Sequence, residues 1–98
     1  MAVKLSNSDR ENVLEKLAKS DWDYLGERDA IMKTFEFANF IEAFAWMTKV
    51  AIYAEKICHH PEWSNVYRKV EVVLTTHDCG GLSNLDLQMA EQMDALAK

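Results

Sequence analysis

The sequence predicts an α+β fold: a four-stranded antiparallel sheet with helices packed on one face, in the order α-β-β-α-β-β-α. Three observations predict it. Residues 31–37 and 70–74 alternate apolar and polar side chains in the period of a half-buried strand. Residues 40–57 run without a glycine or proline and repeat apolar residues at helical spacing. Chain punctuation is sparse, with Pro61 the only proline and Gly26, Gly80 and Gly81 the only glycines, so each marks a boundary.

The elements follow in order. The stretch from Ser6 to Glu11 offers N-caps, and Ser8 with Glu11 fits a capping box, ahead of an apolar face of Val13, Leu14 and Leu17 that ends near Ser20. Trp22, Tyr24 and their neighbours alternate up to Gly26, a short strand. The 31–37 strand then pairs with it as a hairpin. Asn39 with Glu42 caps the long helix 40–57. That helix carries two apolar stripes, one of Phe40, Phe44, Met47, Ala51 and Ala54 and one of Trp46, Val50, Tyr53 and Ile57. A helix facing a single core needs one stripe. The expectation is that the second, around Trp46 and Val50, packs on another subunit. Cys58 to Glu62 is a loop, and two further strands run through Val66 and Tyr67 and through Val70, Val72 and Leu74, with Arg68 and Lys69 between them a poor tight-turn pair. A loop from His77 to Gly81 leads to Leu82 as hydrophobic staple, Ser83 as N-cap and Asp86 in the capping-box position, opening a last helix on Leu85, Met89, Met93 and Leu96.

At 98 residues the chain is expected to be a single domain, 1–98. With 49% apolar residues it can build a core, but so small a domain keeps much surface exposed and tends to bury the surplus by self-association. A net charge of −5 argues against direct contact with nucleic acid, which requires a basic footprint. Two cysteines, Cys58 and Cys79, form no secreted disulfide framework. The first residues contain no apolar signal core, and no stretch approaches the ~18 apolar residues of a membrane span. A cytosolic location is expected, with nuclear entry open to a chain this small.

All three histidines, His59, His60 and His77, fall in loops at strand ends, and imidazole exchanges protons near neutral pH. Pro61 holds His60 out of helical geometry and stiffens that loop. Glu55 lies one turn earlier, and Trp22, Trp63 and Tyr67 offer flat surfaces. From residue types alone, loop histidines are more often plain surface residues and tryptophans more often core fillers. Glu55 at a helix C-terminus is by default a solvated charge set against the dipole. Cys58, His59, His60, His77 and Cys79 could ligate a metal, but their spacing matches neither a C-x₂-C zinc pattern nor H-E-x-x-H, so no metal site is assigned.

More specific is the string Glu55-Lys-x-x-His-His-Pro-Glu-Trp63, then Asn65-Val-Tyr67, then Thr76-His-Asp-x-Gly-Gly-Leu82. With Trp22, Arg28-Asp-Ala-Ile31, Phe35-x-Phe37, Ala54 and Asp86, it resembles the pterin-4a-carbinolamine dehydratases over almost the whole chain. The resemblance implies loss of water from a 4a-hydroxytetrahydrobiopterin to give quinonoid dihydrobiopterin, in tetrahydrobiopterin recycling, by histidine acid–base catalysis. It implies no metal and no cofactor. Carried over residue by residue, it makes His59 and His77 the proton-transfer groups and gives His60 binding and a share in catalysis. Glu55 would bind the pterin or orient a histidine. Cys58, His59, His60, Thr75, Thr76, His77 and Asp78 would line the pocket, with Trp22 and Trp63 as walls. Cys58 departs from the acidic or amide residue that many relatives carry, and Ser64 from a frequent phenylalanine. The missing polar group at 58 bears on rate and stereochemical preference.

Some members of that family also resemble a different class, a dimerisation cofactor of a homeodomain transcription factor. Its surface would be the 40–57 helix, acting by protein contact and not on DNA. Self-assembly through that helix, as a dimer of dimers, is the simpler expectation.

Overall fold

The computed structural model describes residues 2–98. The elements are α1 (Asn7–Ala18), β1 (Asp23–Leu25), β2 (Ala30–Glu36), α2 (Phe40–Ile57), β3 (Glu62–Val66), β4 (Lys69–Leu74), a single 3₁₀ turn (His77–Cys79) and α3 (Asn84–Leu96). The order is α-β-β-α-β-β-α, as the sequence predicts. The sheet runs β1-β2-β4-β3 and is antiparallel throughout. The outer strands are thus the first and third in the chain, and the long helix α2 connects the two hairpins.

Alternation places Ile31 and Phe35 of β2 and Val70, Val72 and Leu74 of β4 on the buried side. Ala43, Trp46, Val50 and Ala54 of α2 pack there, as do Met89, Ala90 and Met93 of α3 and Leu17 of α1. Trp46 lies 4.4 Å from the Phe35 ring and donates its indole N–H to the Met93 carbonyl at 3.1 Å. These contacts correct the expectation for α2. The Trp46 and Val50 stripe faces this chain's own core, and the residues turned outward are Phe40, Ile41, Phe44 and Ile52. Ala54, assigned to the other stripe, is also buried. No helix among the described residues is long and apolar enough to cross a membrane.

Local signals place the ends. Asn39 accepts from the Glu42 N–H at 2.9 Å and starts α2. Ser6, not Ser8, caps α1 and accepts from the Asp9 N–H at 3.2 Å, because the same Ser-x-x-acid spacing occurs two residues earlier. The β3–β4 turn centres on Tyr67 and Arg68, with Tyr67 at φ 54°, and the Asn65 amide bridges the Tyr67 and Lys69 carbonyls at 3.0 and 2.9 Å. Glu62, expected in the loop, is the first residue of β3 and pairs with Val73.

Candidate active site

Helix α2 ends in a Schellman arrangement. Cys58 adopts the left-handed conformation (φ 55°), the Cys58 N–H reaches the Glu55 carbonyl at 3.3 Å, and the His59 N–H reaches the Ala54 carbonyl at 3.0 Å. This turn swings His59 inward and His60 outward. The second loop leaves β4 and is closed by Thr76 and Gly81, which exchange backbone hydrogen bonds at 3.0 and 3.2 Å. Gly81 backs onto the Asp29 carboxylate so closely that a methyl group there would collide with it. Asp29 is itself clamped by Arg10 (2.7 and 2.9 Å), by the Tyr24 hydroxyl (2.7 Å) and by the Leu82 N–H (3.1 Å). Burial pushes its carboxyl up, but these donors and the Arg10 charge outweigh that and hold it below the ordinary aspartate range.

The two loops face each other across a cleft of about 230 Å³ lined by Cys58, His59, His60, Thr75, Thr76, His77 and Asp78. All three histidines therefore lie at one cleft, and each has a carboxylate. His59, 8% exposed, meets Asp86 Oδ1 at 2.6 Å through Nε2. Asp86 is buried, and its other oxygen accepts from Thr76 Oγ1 at 2.7 Å and from the Ser83 N–H at 2.9 Å. His60 Nε2 lies 2.9 Å from Glu55 Oε2, with both side chains exposed. His77, the most exposed, has Glu62 Oε2 3.5 Å from its Nε2. Arg28, by hydrogen bonding first and charge second, holds the Glu62 carboxyl below its ordinary range, with a smaller contribution from His77.

A carboxylate on one ring nitrogen fixes the hydrogen there and leaves the other nitrogen for a substrate proton. For His59 the held nitrogen is Nε2, and Nδ1 is the one that this carboxylate leaves free. A second hollow, of about 280 Å³, between α2 and the end of α3 contains no histidine or cysteine. Among the described residues, no three His, Cys, Asp or Glu side chains are arranged to hold a metal ion.

Two of the expected pocket residues lie elsewhere. Trp22 is not a wall of the cleft: it is 3% exposed, packs edge-on against Phe35 at 5.8 Å and donates its indole N–H to Asp94 at 3.0 Å. Trp63 is half-buried against Trp46 at 6.3 Å and also lies outside the cleft lining. Sequence reasoning in turn left two carboxylates out of the site. Asp86 was visible as half of a capping box and as one position of the family resemblance, and Glu62 as part of the His-His-Pro-Glu-Trp motif, neither with a site role.

The pterin 4 alpha carbinolamine dehydratase family model matches residues 3–96. A Roseobacter denitrificans protein provisionally named pterin-4-alpha-carbinolamine dehydratase is 60% identical over 97 residues, covering 99% of each chain. A Jannaschia sp. protein with the same provisional name is 58% identical over 98 residues and the full length of both. Among solved structures, a transcriptional coactivator/pterin dehydratase from Brucella melitensis superposes with a TM-score of 0.90 at 41% identity, covering 98% of this chain and 100% of that one. The chain belongs to the pterin 4 alpha carbinolamine dehydratase family.

Proposed function

We propose that this protein is a hydro-lyase that dehydrates 4a-hydroxytetrahydrobiopterin to quinonoid dihydrobiopterin and water. The observation that carries this reading is the meeting of three imidazoles, from two separate loops, at one small cleft. In the carbinolamine one carbon bears both the hydroxyl and a ring nitrogen. As the C4a–O bond breaks, the nitrogen lone pair forms the C4a=N double bond. The departing oxygen takes a proton and leaves as water, and the ring system gives one up. Carbon, nitrogen and oxygen change bonding while no electron is transferred, so two proton-transfer groups are a sufficient catalytic set.

His59 and His77 fill those two roles in this reading. They come from opposite loops, so a flat ring between them presents one face or edge to each. His60, with Glu55 beside it, binds the pterin and contributes to proton transfer. Thr75, Thr76, Asp78 and Cys58 complete the lining. The assay is decay of synthetic 4a-carbinolamine with and without protein. The wild type is expected to accelerate it, and His59→Ala with His77→Ala to bring the rate back to the blank. General acid–base contributions are typically 10²- to 10⁴-fold each, so the loss is easily resolved. A double variant as fast as wild type would end the assignment.

A second copy of this chain is the partner we assign to α2. Its outward arc of Phe40, Ile41, Phe44 and Ile52 is 43–78% exposed, and contiguous apolar surface of this kind marks an interaction site. Assembly as a dimer of dimers through α2 accommodates it. The Brucella relative is described as a coactivator as well as a dehydratase, and the same arc could receive helices of a transcription factor. Self-association needs no further component.

A further inference from the structure

The three histidines of the cleft are held to different degrees. Asp86 fixes His59 in the interior and Glu55 lies against His60, whereas His77, with its side chain 83% exposed, has among the described residues only Glu62, 3.5 Å from Nε2, in carboxylate range. Glu62 is not a wandering surface acid. It opens β3 in register with Val73, and both its oxygens are gripped by Arg28, Nη1 to Oε1 at 2.8 Å and Nη2 to Oε2 at 2.7 Å. Arg28 belongs to the turn between β1 and β2, so two distant segments converge to aim one anion at the edge of the cleft. Both side chains are more than two-fifths exposed, so solvent screens the pair, although a two-pronged Arg–carboxylate geometry is the kind in which an exposed ion pair can still add to stability. Whatever it adds to stability, this two-pronged grip fixes the orientation of a carboxylate next to a cleft histidine.

The geometry points to Glu62 as the positioning residue of His77, with Arg28 as the group that aims Glu62. The role rests on the reading that His77 moves a proton during dehydration. With Nε2 turned to the carboxylate, Nδ1 is the nitrogen left for the pterin, and the ring no longer swings freely in solvent. At 3.5 Å the contact is longer than a hydrogen bond, and such contacts commonly tighten once substrate fills a site. Glu62 touches no reacting atom; it acts through His77.

The test combines a mutant cycle with a measurement that needs no substrate. Glu62→Ala is expected to lower kcat by about tenfold, the low end for loss of a partner that orients a working side chain, while KM stays within about twofold. On a His77→Ala background the same change is expected to cost nothing further. Carbon-13 relaxation of the His77 ring is expected to show an ordered ring in wild type and a mobile one in Glu62→Ala and in Arg28→Gln, which leaves Glu62 in place but unaimed. An equal loss of kcat in both backgrounds would overturn the positioning role, and so would wild-type turnover with an undisturbed ring in Glu62→Ala. If wild-type protein fails to dehydrate the carbinolamine, the proposed reaction falls, and ring order alone then decides whether Glu62 positions His77.

Discussion

Asp86 serves a helix cap and a cleft histidine with one carboxylate. Its Oδ2 receives the Ser83 N–H and the Thr76 hydroxyl, closing the capping box of α3, and its Oδ1 receives His59. The Ser83–Asp86 contact was legible from the Ser-x-x-Asp spacing, while the Thr76 contact, ten residues away, was not. Nor was the His59 contact, because His59 and Asp86 are 27 residues apart and only the packing of α3 beside the end of α2 brings them together. The reverse holds for Trp22, whose indole suits a ligand wall by residue type. Its N–H has a buried-edge partner in Asp94, which no spacing rule links to residue 22. Asp86→Ala should therefore fail in two ways at once. It leaves buried donors without acceptors, each worth about 1–3 kcal/mol, and it frees the His59 ring. Urea unfolding should show a stability loss of that order, and kcat should fall further than the unfolded fraction explains. Ser83→Ala provides the contrast, since it weakens the cap but leaves the Asp86–His59 contact; it should lose stability with kcat largely kept.

At the scale of elements, the two loops of the cleft are held by backbone devices that can be tested separately from the chemistry. The end of α2 near Ile57 was legible, because Pro61 keeps the residue before it out of helical geometry. The left-handed conformation at Cys58 was hidden, since cysteine has no preference for it. A side chain with a β-carbon in that region costs roughly 1–2 kcal/mol, and asparagine tolerates it best after glycine. Cys58→Asn should raise the melting temperature, because asparagine is the commoner non-glycine residue at such a left-handed cap. It also returns an amide to the cleft lining at the position where the family resemblance expects a polar group. The other loop leans on Asp29, whose clamp by Arg10, Tyr24 and Leu82 ties α1, the β1–β2 hairpin and the approach to α3 together. Because the folded carboxyl titrates below its unfolded value, its contribution is complete above about pH 4 and drains away as the pH falls through the folded value. Urea midpoints followed from pH 6 to pH 3 should drop more steeply for wild type than for Asp29→Asn, which has no charge to lose. Parallel slopes would mean that the clamp carries no net stabilisation.

At the scale of the whole molecule, the distinction between the two stripes of α2 decides what assembly can mean. The helix's amphipathic character was readable from the sequence. Which stripe faces inward was not, since both are apolar and only the sheet below selects one. At 100° per residue, Phe40, Phe44, Thr48, Ile41 and Ile52 span an arc of about 120° on the side opposite Trp46, Val50 and Ile57. Covering what each Phe or Ile in that arc still exposes, 43–78% of the residue, contributes the corresponding fraction of the roughly 1.5–3 kcal/mol of a full burial, and the four together favour association of helices from separate copies. The position for a test must spare both the core and the cleft. Trp46 and Val50 fail this, because a charge there enters the interior and unfolds the chain. Ile52 lies less than one turn from Glu55, so a charge there would disturb the His60 partner. Phe44 is three turns away, at about 16 Å along the axis. Phe44→Glu should therefore convert a sedimenting oligomer to an 11.3 kDa monomer while far-UV dichroism stays unchanged. If the cleft is complete within one chain, kcat should survive this split; a large loss in folded monomers would show that a neighbouring copy supports the Glu55–His60 side of the site. A wild type that already sediments as a monomer would leave the outward arc without the partner assigned to it.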